Sequence, residues 1–242
     1  MQIEVWSDFV CPFCYIGKRR FDAALESFQE RNQINVTYKS YQLDPKTPAY
    51  HGQDYLESLA EKFGSAEQAK QMTEDIQKQA KTVGLEFDFN QAKPTNTLDA
   101  HRLNQLAKEE QVQEQLSDLL FQAHFVDGKD IGNKEVLLNI AQDVGLDKTK
   151  AKQLLEDPSI YHDDVKTDLQ EATEFGISGV PYFIVNRKYA ISGAQPVAAF
   201  TRALEQVLQE ENQNKPLQDL TADHLSGEAC GADGCDTPEK EK

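Results

Sequence analysis

Two cysteines separated by two residues stand where a strand pattern gives way to a helix pattern, in the segment Cys11-Pro12-Phe13-Cys14. Apolar and polar residues alternate in residues 3–6, as in a β-strand, and later apolar residues recur at a spacing that predicts a helix over residues 12–31. Proline suits the first turn of a helix, because its missing N–H has no partner there anyway. Unpaired amides and the positive end of the helix dipole stabilise a thiolate, which is the nucleophilic form of cysteine. This arrangement predicts thiol–disulfide chemistry.

Composition narrows the class of protein. The chain has 242 residues, of which 39% are apolar and 27% charged, as is typical of a globular protein with a sizeable core. A net charge of −16 argues against a nucleic-acid partner, because a phosphate backbone would be repelled. The sequence has no apolar run of membrane-spanning length and no secretory-signal pattern at its start, so we expect a cytoplasmic protein that binds no membrane. In that compartment disulfides are usually transient and catalytic.

The elements predicted along the chain fall into four segments. A strand–helix–strand unit occupies residues 1–48, and helical patterning fills almost all of residues 49–161. Residues 162–212 return to a helix, two short strands joined by a polar turn, and a last helix. Residues 213–242 form an acidic tail with few large apolar residues. The helical segment therefore interrupts an α/β pattern.

The order βαβ, helical block, αββα resembles the thioredoxin fold with a helical insertion, which is the plan of the DsbA family. Over about residues 1–208 the chain is similar to the FrnE-like branch of that family, and the motifs that carry this resemblance are Ser7-Asp8-Phe9-Val10-Cys11-Pro12-Phe13-Cys14-Tyr15-Ile16-Gly17, Asn96-Thr97-Leu98-Asp99-Ala100-His101-Arg102-Leu103, Gly179-Val180-Pro181-Tyr182-Phe183 and Gly193-Ala194-Gln195-Pro196. We therefore expect an α/β, thioredoxin-like fold interrupted by an all-helical insertion domain, plus a mobile acidic C-terminal tail.

The resemblance assigns roles to four residues. It implies that Cys11 is the exposed sulfur that attacks a disulfide, and that Cys14 resolves the mixed disulfide that results. It also implies that Pro181 is cis and faces the two cysteines, where the main chain of Val180 would bind a peptide substrate. The expected substrates are protein or peptide disulfides, and the expected reductant is a low-molecular-weight thiol or a thioredoxin-type protein. No dissociable cofactor and no metal are expected.

One departure from the thioredoxin-like pattern concerns the acid that moves protons for the second thiol. That acid often lies six residues before the attacking cysteine, where this chain has Val5. Asp8 is the nearest acid on the same segment. Either it takes over that role, or it is a solvated residue at the end of the strand, which is the interpretation we favour. His101, in the predicted insertion, is interpreted as a helix histidine with satisfied hydrogen bonds that faces the cleft or the core.

A second cysteine pair, Cys230 and Cys235, lies in the acidic tail with glycines between its members. Flexible spacing of this kind allows a disulfide to close, and we predict a second redox pair there. Neighbouring acidic residues disfavour a thiolate, so this pair is predicted to donate electrons to the oxidised form of the first pair. A passive pair without a redox role is the alternative.

Three other functions stay open on the sequence. The first is a glutathione-dependent transferase or isomerase on the same fold. The second is a structural protein in which the four cysteines hold zinc. The third is a holdase-type protein that binds its clients in an apolar cleft of the helical insertion. Both cysteines of the first motif are present, which favours redox chemistry.

Overall fold

The computed structural model describes residues 1–213, 229–231 and 234–236. The chain divides into two compact units, Met1–Glu205 and Gln206–Lys242. Within the described ranges, no helix is both long and apolar enough to cross a membrane. The first cysteine pair lies in the first unit and the second pair in the second unit.

A four-stranded sheet forms the centre of the first unit. It contains β1 (Gln2–Ser7), β2 (Asn35–Ser40), β3 (Tyr182–Val185) and β4 (Tyr189–Ser192), in the order β2-β1-β3-β4. β1 runs parallel to β2 and antiparallel to β3, and β3 and β4 form an antiparallel hairpin. A parallel pair needs a crossover connection, which the helix after the cysteines provides. β1 is therefore a central strand, and the cysteine motif follows directly at its carboxyl end.

The helices that the structure describes are α1 (Pro12–Glu26), α2 (Tyr55–Phe63), α3 (Ala66–Lys81), α4 (Leu98–Glu109), α5 (Gln113–Phe125), α6 (Lys134–Asp143), α7 (Lys148–Glu156), α8 (His162–Glu174) and α9 (Val197–Gln213). α1 connects β1 to β2, and α2 to α7 all lie between β2 and α8. The order along the chain is therefore βαβ, helical insertion, αββα, as predicted.

The first helix is shorter than the sequence pattern predicts. α1 ends at Glu26, where the Ser27 hydroxyl donates to the carbonyl of Ala24 (2.9 Å) and the chain turns. Phe28 is buried although it lies beyond the helix, and its amide donates to the carbonyl of Leu25 (3.1 Å) in that turn. The apolar side chain of Phe28 therefore fits the helical spacing in the sequence, although the helix has already ended.

The helical insertion shares one apolar core with the cysteine motif and the start of α1. Tyr15 of α1 stacks on Phe121 of α5, with 5.0 Å between the ring centroids. Phe9, Cys11 and Cys14 belong to the same cluster of buried residues. Burial of apolar surface is the main favourable contribution to folding, so this shared core fixes the insertion against the cysteine motif.

A buried acid on α8, Asp168, joins the sheet to two helices. The Asp168 carboxylate, on α8, accepts hydrogen bonds from the Ser40 amide (2.8 Å), Lys39 Nζ (2.9 Å) and Gln105 Nε2 (2.6 Å). Its main-chain carbonyl accepts a hydrogen bond from the indole of Trp6 (2.9 Å). A buried carboxylate is tolerated when its oxygens are paired in this way. These bonds fasten α8 and α4 to β2.

The second unit contains the end of α9 and a short hairpin. β5 (Ala229–Gly231) and β6 (Gly234–Asp236) pair antiparallel, and their register sets Cys230 directly opposite Cys235. Most of the acidic tail, to which the predicted mobility refers, lies outside the described residues.

Candidate active site

Cys11 caps the first helix, and Cys14 lies within its first turn. Cys11 has extended backbone angles (φ −93°, ψ 111°), and Pro12 begins the helix. The Cys11 amide donates to the carbonyl of Asp8 (3.0 Å), and the Cys14 amide donates to the carbonyl of Cys11 (3.0 Å). Both cysteines are free thiols. The first cysteine therefore stands at the positive end of the helix dipole, as predicted.

The expected exposure of Cys11 is wrong. Its relative exposure is 4%, compared with 2% for Cys14. The Cys11 thiol donates a weak hydrogen bond to the main-chain carbonyl of Val180, with Sγ and O 3.6 Å apart, so the loop before β3 covers the sulfur. Phe13 is 36% exposed and Gly179 is also exposed. The sulfur is thus covered, while the rim around it is open to solvent.

The loop that covers the sulfur contains a cis peptide bond between Val180 and Pro181, the isomer that the resemblance implies. Gly17 of α1 allows this loop to approach closely, since a Cβ there would lie 2.9 Å from Pro181 Cγ and 3.3 Å from the Cα of Ala194. Arg20 Nη1, in the next turn of the helix, donates to the carbonyl of Ala194 (2.6 Å). Val180 and Pro181 are therefore held against the helix that carries the cysteines.

Gly17 and Arg20 are positioning residues that the sequence analysis missed. Glycine inside a helix is about 1 kcal/mol less favourable than alanine, so a lone glycine in a helical pattern often marks a close approach of another segment. The sequence carries that signal at Gly17. It carries no signal for the approaching loop, which is distant along the chain.

A cavity lies beside the cis peptide bond. Its volume is about 250 Å³, and it is lined by Ser178, Gly179, Val180, Pro181, Tyr182, Ser192 and Gly193. Ser178 and Gly179 are exposed, so their main-chain groups are accessible from this cavity. Exposed main chain of this kind can pair with an extended peptide.

Cys14 holds its proton more strongly than an ordinary cysteine. Burial raises the pKa of its thiol well above the usual value, and a hydrogen bond with Cys11 and the negative charge of Cys11 raise it further. Hydrogen bonds with the Ser7 side chain and the Asp8 main chain act in the opposite direction. Cys14 therefore remains a thiol when Cys11 carries a negative charge.

Asp8 is not the solvated strand-end residue that we favoured. It is 1% exposed, because β1 and the insertion enclose it. Its Oδ2 accepts a hydrogen bond from the Leu43 amide (2.8 Å), and its Oδ1 lies 3.3 Å from His101 Nε2. His101 is 1% exposed and packs on Phe9, with 4.8 Å between ring centroids. It faces the core as interpreted, but its Nδ1 has no hydrogen-bond partner among the described residues.

Two further titratable side chains lie around the thiols. His124 of α5 is buried, and this burial lowers its pKa to about 4, while the charge of Asp8 acts in the opposite direction. Desolvation raises the pKa of Tyr55, on α2, and the negative charge of Cys11 adds to this effect. Both side chains are therefore neutral near pH 7.

The described residues include no group of three or more histidine, cysteine or acidic side chains arranged to hold a metal ion. The side chains of Cys230 and Cys235 lie outside what the structure describes, and only their strand register is defined. The predicted exchange between the two cysteine pairs stays a prediction.

Residues 2–205 match the family model of the DSBA-like thioredoxin domain. The chain belongs to this family. A Bacillus subtilis relative, YwbO, is 30% identical over 206 residues, which are 84% of this chain and 96% of the relative. A solved structure named as a probable DsbA oxidoreductase of Streptomyces coelicolor is 38% identical, with a TM-score of 0.83 over 99% of this chain and all of that one.

More distant DsbA-family structures share the fold alone. One is the cytosolic disulfide reductase DsbM of Pseudomonas aeruginosa with GSH, which is 16% identical. Its TM-score is 0.59 over 86% of this chain and all of that chain. The α/β, thioredoxin-like fold with its all-helical insertion is therefore confirmed. Proteins of this fold family are thiol–disulfide oxidoreductases, and here the free thiols of Cys11 and Cys14 stand at the helix start that such chemistry uses.

Proposed function

We propose that the protein is a cytoplasmic thiol–disulfide oxidoreductase or isomerase of the FrnE-like branch, acting on protein or peptide disulfides. The observation that carries this proposal is the contact between the Cys11 thiol and the Val180 carbonyl, 3.6 Å apart. It sets a free thiol at a helix N-terminus directly against a loop with accessible main chain. A disulfide substrate needs both features, because one sulfur must be attacked while the chain around it is held.

The reaction proceeds in two exchange steps. The Cys11 thiolate attacks one sulfur of the substrate disulfide, so that a mixed disulfide forms and the other substrate sulfur leaves as a thiolate. Cys14 then loses its proton and attacks the sulfur of Cys11, which releases the second substrate thiolate. The substrate gains two electrons and the enzyme ends as the Cys11–Cys14 disulfide. A low-molecular-weight thiol or a thioredoxin-type protein returns two electrons, and neither a metal nor a dissociable cofactor takes part.

An extended substrate segment lies along Ser178, Gly179 and Val180 in this proposal. Their main chain lines the cavity beside the cis bond, and the first two residues are exposed. Main-chain pairing is independent of side-chain identity, so it suits an enzyme that accepts many polypeptides. The Val180 carbonyl, which now accepts from the Cys11 thiol, becomes available once that thiol ionises.

The dipeptide between the cysteines, Pro12-Phe13, contains no imidazole beside the thiolate. A strongly oxidising DsbA stabilises its reduced form and reaches about −120 mV. With Phe13 in place of a histidine, the reduced form gains less stabilisation here. We therefore propose a potential more negative than that value.

Cys230 and Cys235 act as a second redox pair in this proposal. Residues directly opposite in an antiparallel ladder have Cα atoms about 4.5–5.5 Å apart, which lies within the range that a disulfide spans. The β5–β6 register supports such a closure, because it sets these two residues opposite each other. Electrons pass from the two tail thiols to the Cys11–Cys14 disulfide, which leaves the tail pair oxidised.

Reduction of insulin and of oxidised glutathione by the purified full chain tests the proposal. Cys11→Ser is expected to abolish turnover with both substrates. Cys14→Ser is expected to abolish turnover of insulin while still forming an adduct on Cys11. Tight glutathione binding, with turnover lost only in the Cys11 variant, would favour a glutathione-dependent transferase or isomerase instead. Protection of unfolded clients by a double cysteine variant would favour a holdase.

A further inference from the structure

The outer edge of β2 is closed at two positions and open at a third. The Ser40 amide donates to the carboxylate of Asp168 (2.8 Å), and both main-chain groups of Tyr38 pair with the side-chain amide of Gln113 (2.9 and 2.8 Å). Main-chain groups alternate between the two sides of a strand, so those of Val36 also point away from β1. Neither group of Val36 has a hydrogen-bond partner among the described residues. An unpaired strand edge of this kind is a template for another extended chain.

A cavity of about 240 Å³ lies at this opening, between α1, β2 and α5. The residues that line it include Asp22, Val36, Tyr38 and Glu114. The Tyr38 ring faces α1, since its centroid lies 5.6 Å from Lys18 Nζ. The Val36 side chain, two residues earlier on the same strand, points to the same face of the sheet. A side chain directly opposite Val36 on an added strand would therefore enter the cavity.

Acidic side chains dominate the charge at the cavity. The Asp22 carboxylate accepts a hydrogen bond from the buried Lys18 ammonium (2.8 Å), which also donates to Asp118 (3.1 Å). Glu114 is exposed, and its carboxylate pairs with no basic side chain in the described part of the chain. Arg31 also lines the cavity, but it is exposed to solvent. One carboxylate at the cavity is therefore left for a cation from outside.

Tyr38 responds to this excess of negative charge. Burial raises the pKa of its hydroxyl well above the usual value, and the charges of Asp22, Glu114 and Asp118 raise it further. The same charges favour an ammonium or guanidinium group placed in the cavity.

We infer that this site binds an extended segment of another polypeptide, with a basic residue directly opposite Val36. In an antiparallel ladder that residue exchanges both main-chain hydrogen bonds with Val36 and places its side chain near Asp22 and Glu114. Gln113 occupies the next position of the edge, so the basic residue comes first or second in the paired segment. The site lies towards the other end of α1 from Cys11, so binding there is independent of the proposed function.

NMR titration of the reduced, isotope-labelled full chain tests this binding, with the Val36 amide resonance as the readout. The probe is the N-acetylated, C-amidated tripeptide Lys-Thr-Thr, in which threonine favours an extended chain. Norleucine in place of lysine removes the charge, and N-methylation of the lysine nitrogen removes the main-chain donor. The n-butylammonium ion supplies the cation without a peptide. We expect a saturable shift at Val36 with the tripeptide, and an affinity about fivefold lower or less for each of the other three ligands.

Two variants remove the acids. Glu114→Gln should weaken binding of the tripeptide about threefold, and Asp22→Asn should do the same while keeping an acceptor for Lys18. Glu61→Gln is the matched control, because it makes the same change at an exposed acid on α2 and should leave the affinity unchanged. Added salt should weaken binding in the parent more than in Glu114→Gln.

Absence of a shift at Val36 with millimolar tripeptide would overturn the inference. Equal affinity for the N-methylated peptide or for n-butylammonium would overturn it too, because the strand edge would then take no part. Parental affinity in both acid variants would show that the cavity does not select a basic residue; if Asp22→Asn does not fold, Glu114→Gln decides alone. Cys11→Ser should bind the tripeptide as the parent does, so failure of the proposed function would appear in insulin turnover and leave this titration unchanged.

Discussion

The Cys11 thiol and the Val180 carbonyl lie 3.6 Å apart although 169 residues separate them in the sequence. The sulfur therefore depends on two segments of the chain. The β1–α1 junction places it at a helix N-terminus, and the loop before β3 covers it. Because the covering group is a main-chain carbonyl, the main chain of an incoming peptide can form a hydrogen bond with it in place of the thiol.

The two thiols should differ in reactivity. Burial raises the pKa of Cys14, while Cys11 caps the helix, so a small alkylating reagent should modify Cys11 first. Iodoacetamide labelling of the reduced chain from about pH 5 to about pH 9, mapped by mass spectrometry, measures this order around the free-cysteine pKa of about 8.5. Earlier labelling of Cys14, or equal labelling of both thiols at every pH, would show that the roles are assigned wrongly.

Gly17→Ala should impair turnover. The new Cβ would lie 2.9 Å from Pro181 Cγ, so the loop must move and the Val180 carbonyl moves with it. We expect a loss of stability of about 1–3 kcal/mol from overpacking, although alanine favours a helix, and a loss of kcat/KM of about tenfold. Ala23→Gly is the matched control on an exposed position of the same helix, and it should cost about 1 kcal/mol with unchanged turnover. Full activity of Gly17→Ala would remove this contact from the site.

His124 should make the fold sensitive to acid. An unfolded histidine titrates near pH 6.5, whereas burial lowers the pKa of His124 to about 4. Between these values the unfolded chain binds more protons, so stability is fully present above about pH 6.5 and falls as the pH drops towards 4. This difference in pKa between the unfolded and the folded chain corresponds to about 3 kcal/mol in the free energy of unfolding. Urea unfolding at several pH values should show this extra slope in the parent chain and not in His124→Leu; identical slopes would contradict it.

The tail cysteines should exchange with the first pair. From Glu210 onward the chain has nine acidic and three basic residues. A linker of this length that reaches the first cysteine pair supplies the tail thiols there at an effective concentration in the millimolar range. A Cys14→Ala/Cys235→Ala variant should form a Cys11–Cys230 crosslink under oxidising conditions, seen on non-reducing gels and by peptide mapping.

The matched control for this crosslink replaces Cys11 as well and should show none. Truncation after Leu225 should change the redox rate of the first pair. If no crosslink forms and truncation leaves both the rate and the potential unchanged, the tail pair is passive.

Sequence reasoning predicted the elements whose signals are local. The cysteine motif at a helix start, the β3–β4 hairpin and the order of the segments all follow from spacing and turn residues. The end of α1 was predicted too late, because Phe28 is buried beyond the helix and mimics helical spacing.

The rest of the site depends on contacts between distant segments. Cys11 is covered by Val180, and Asp8 is enclosed with His101, which lies 93 residues away. Nothing local to Asp8 distinguishes a solvated acid from a buried one. The burial of both thiols and the pairing of this acid therefore became visible only in the folded chain.

The most direct test of the proposed thiol–disulfide exchange is peptide-mapped mass spectrometry of the reduced Cys14→Ala chain after incubation with insulin. Stable mixed disulfides on Cys11 are expected, because the attacking sulfur remains and the resolving sulfur is gone. The absence of insulin adducts on Cys11 would contradict its role as the attacking sulfur.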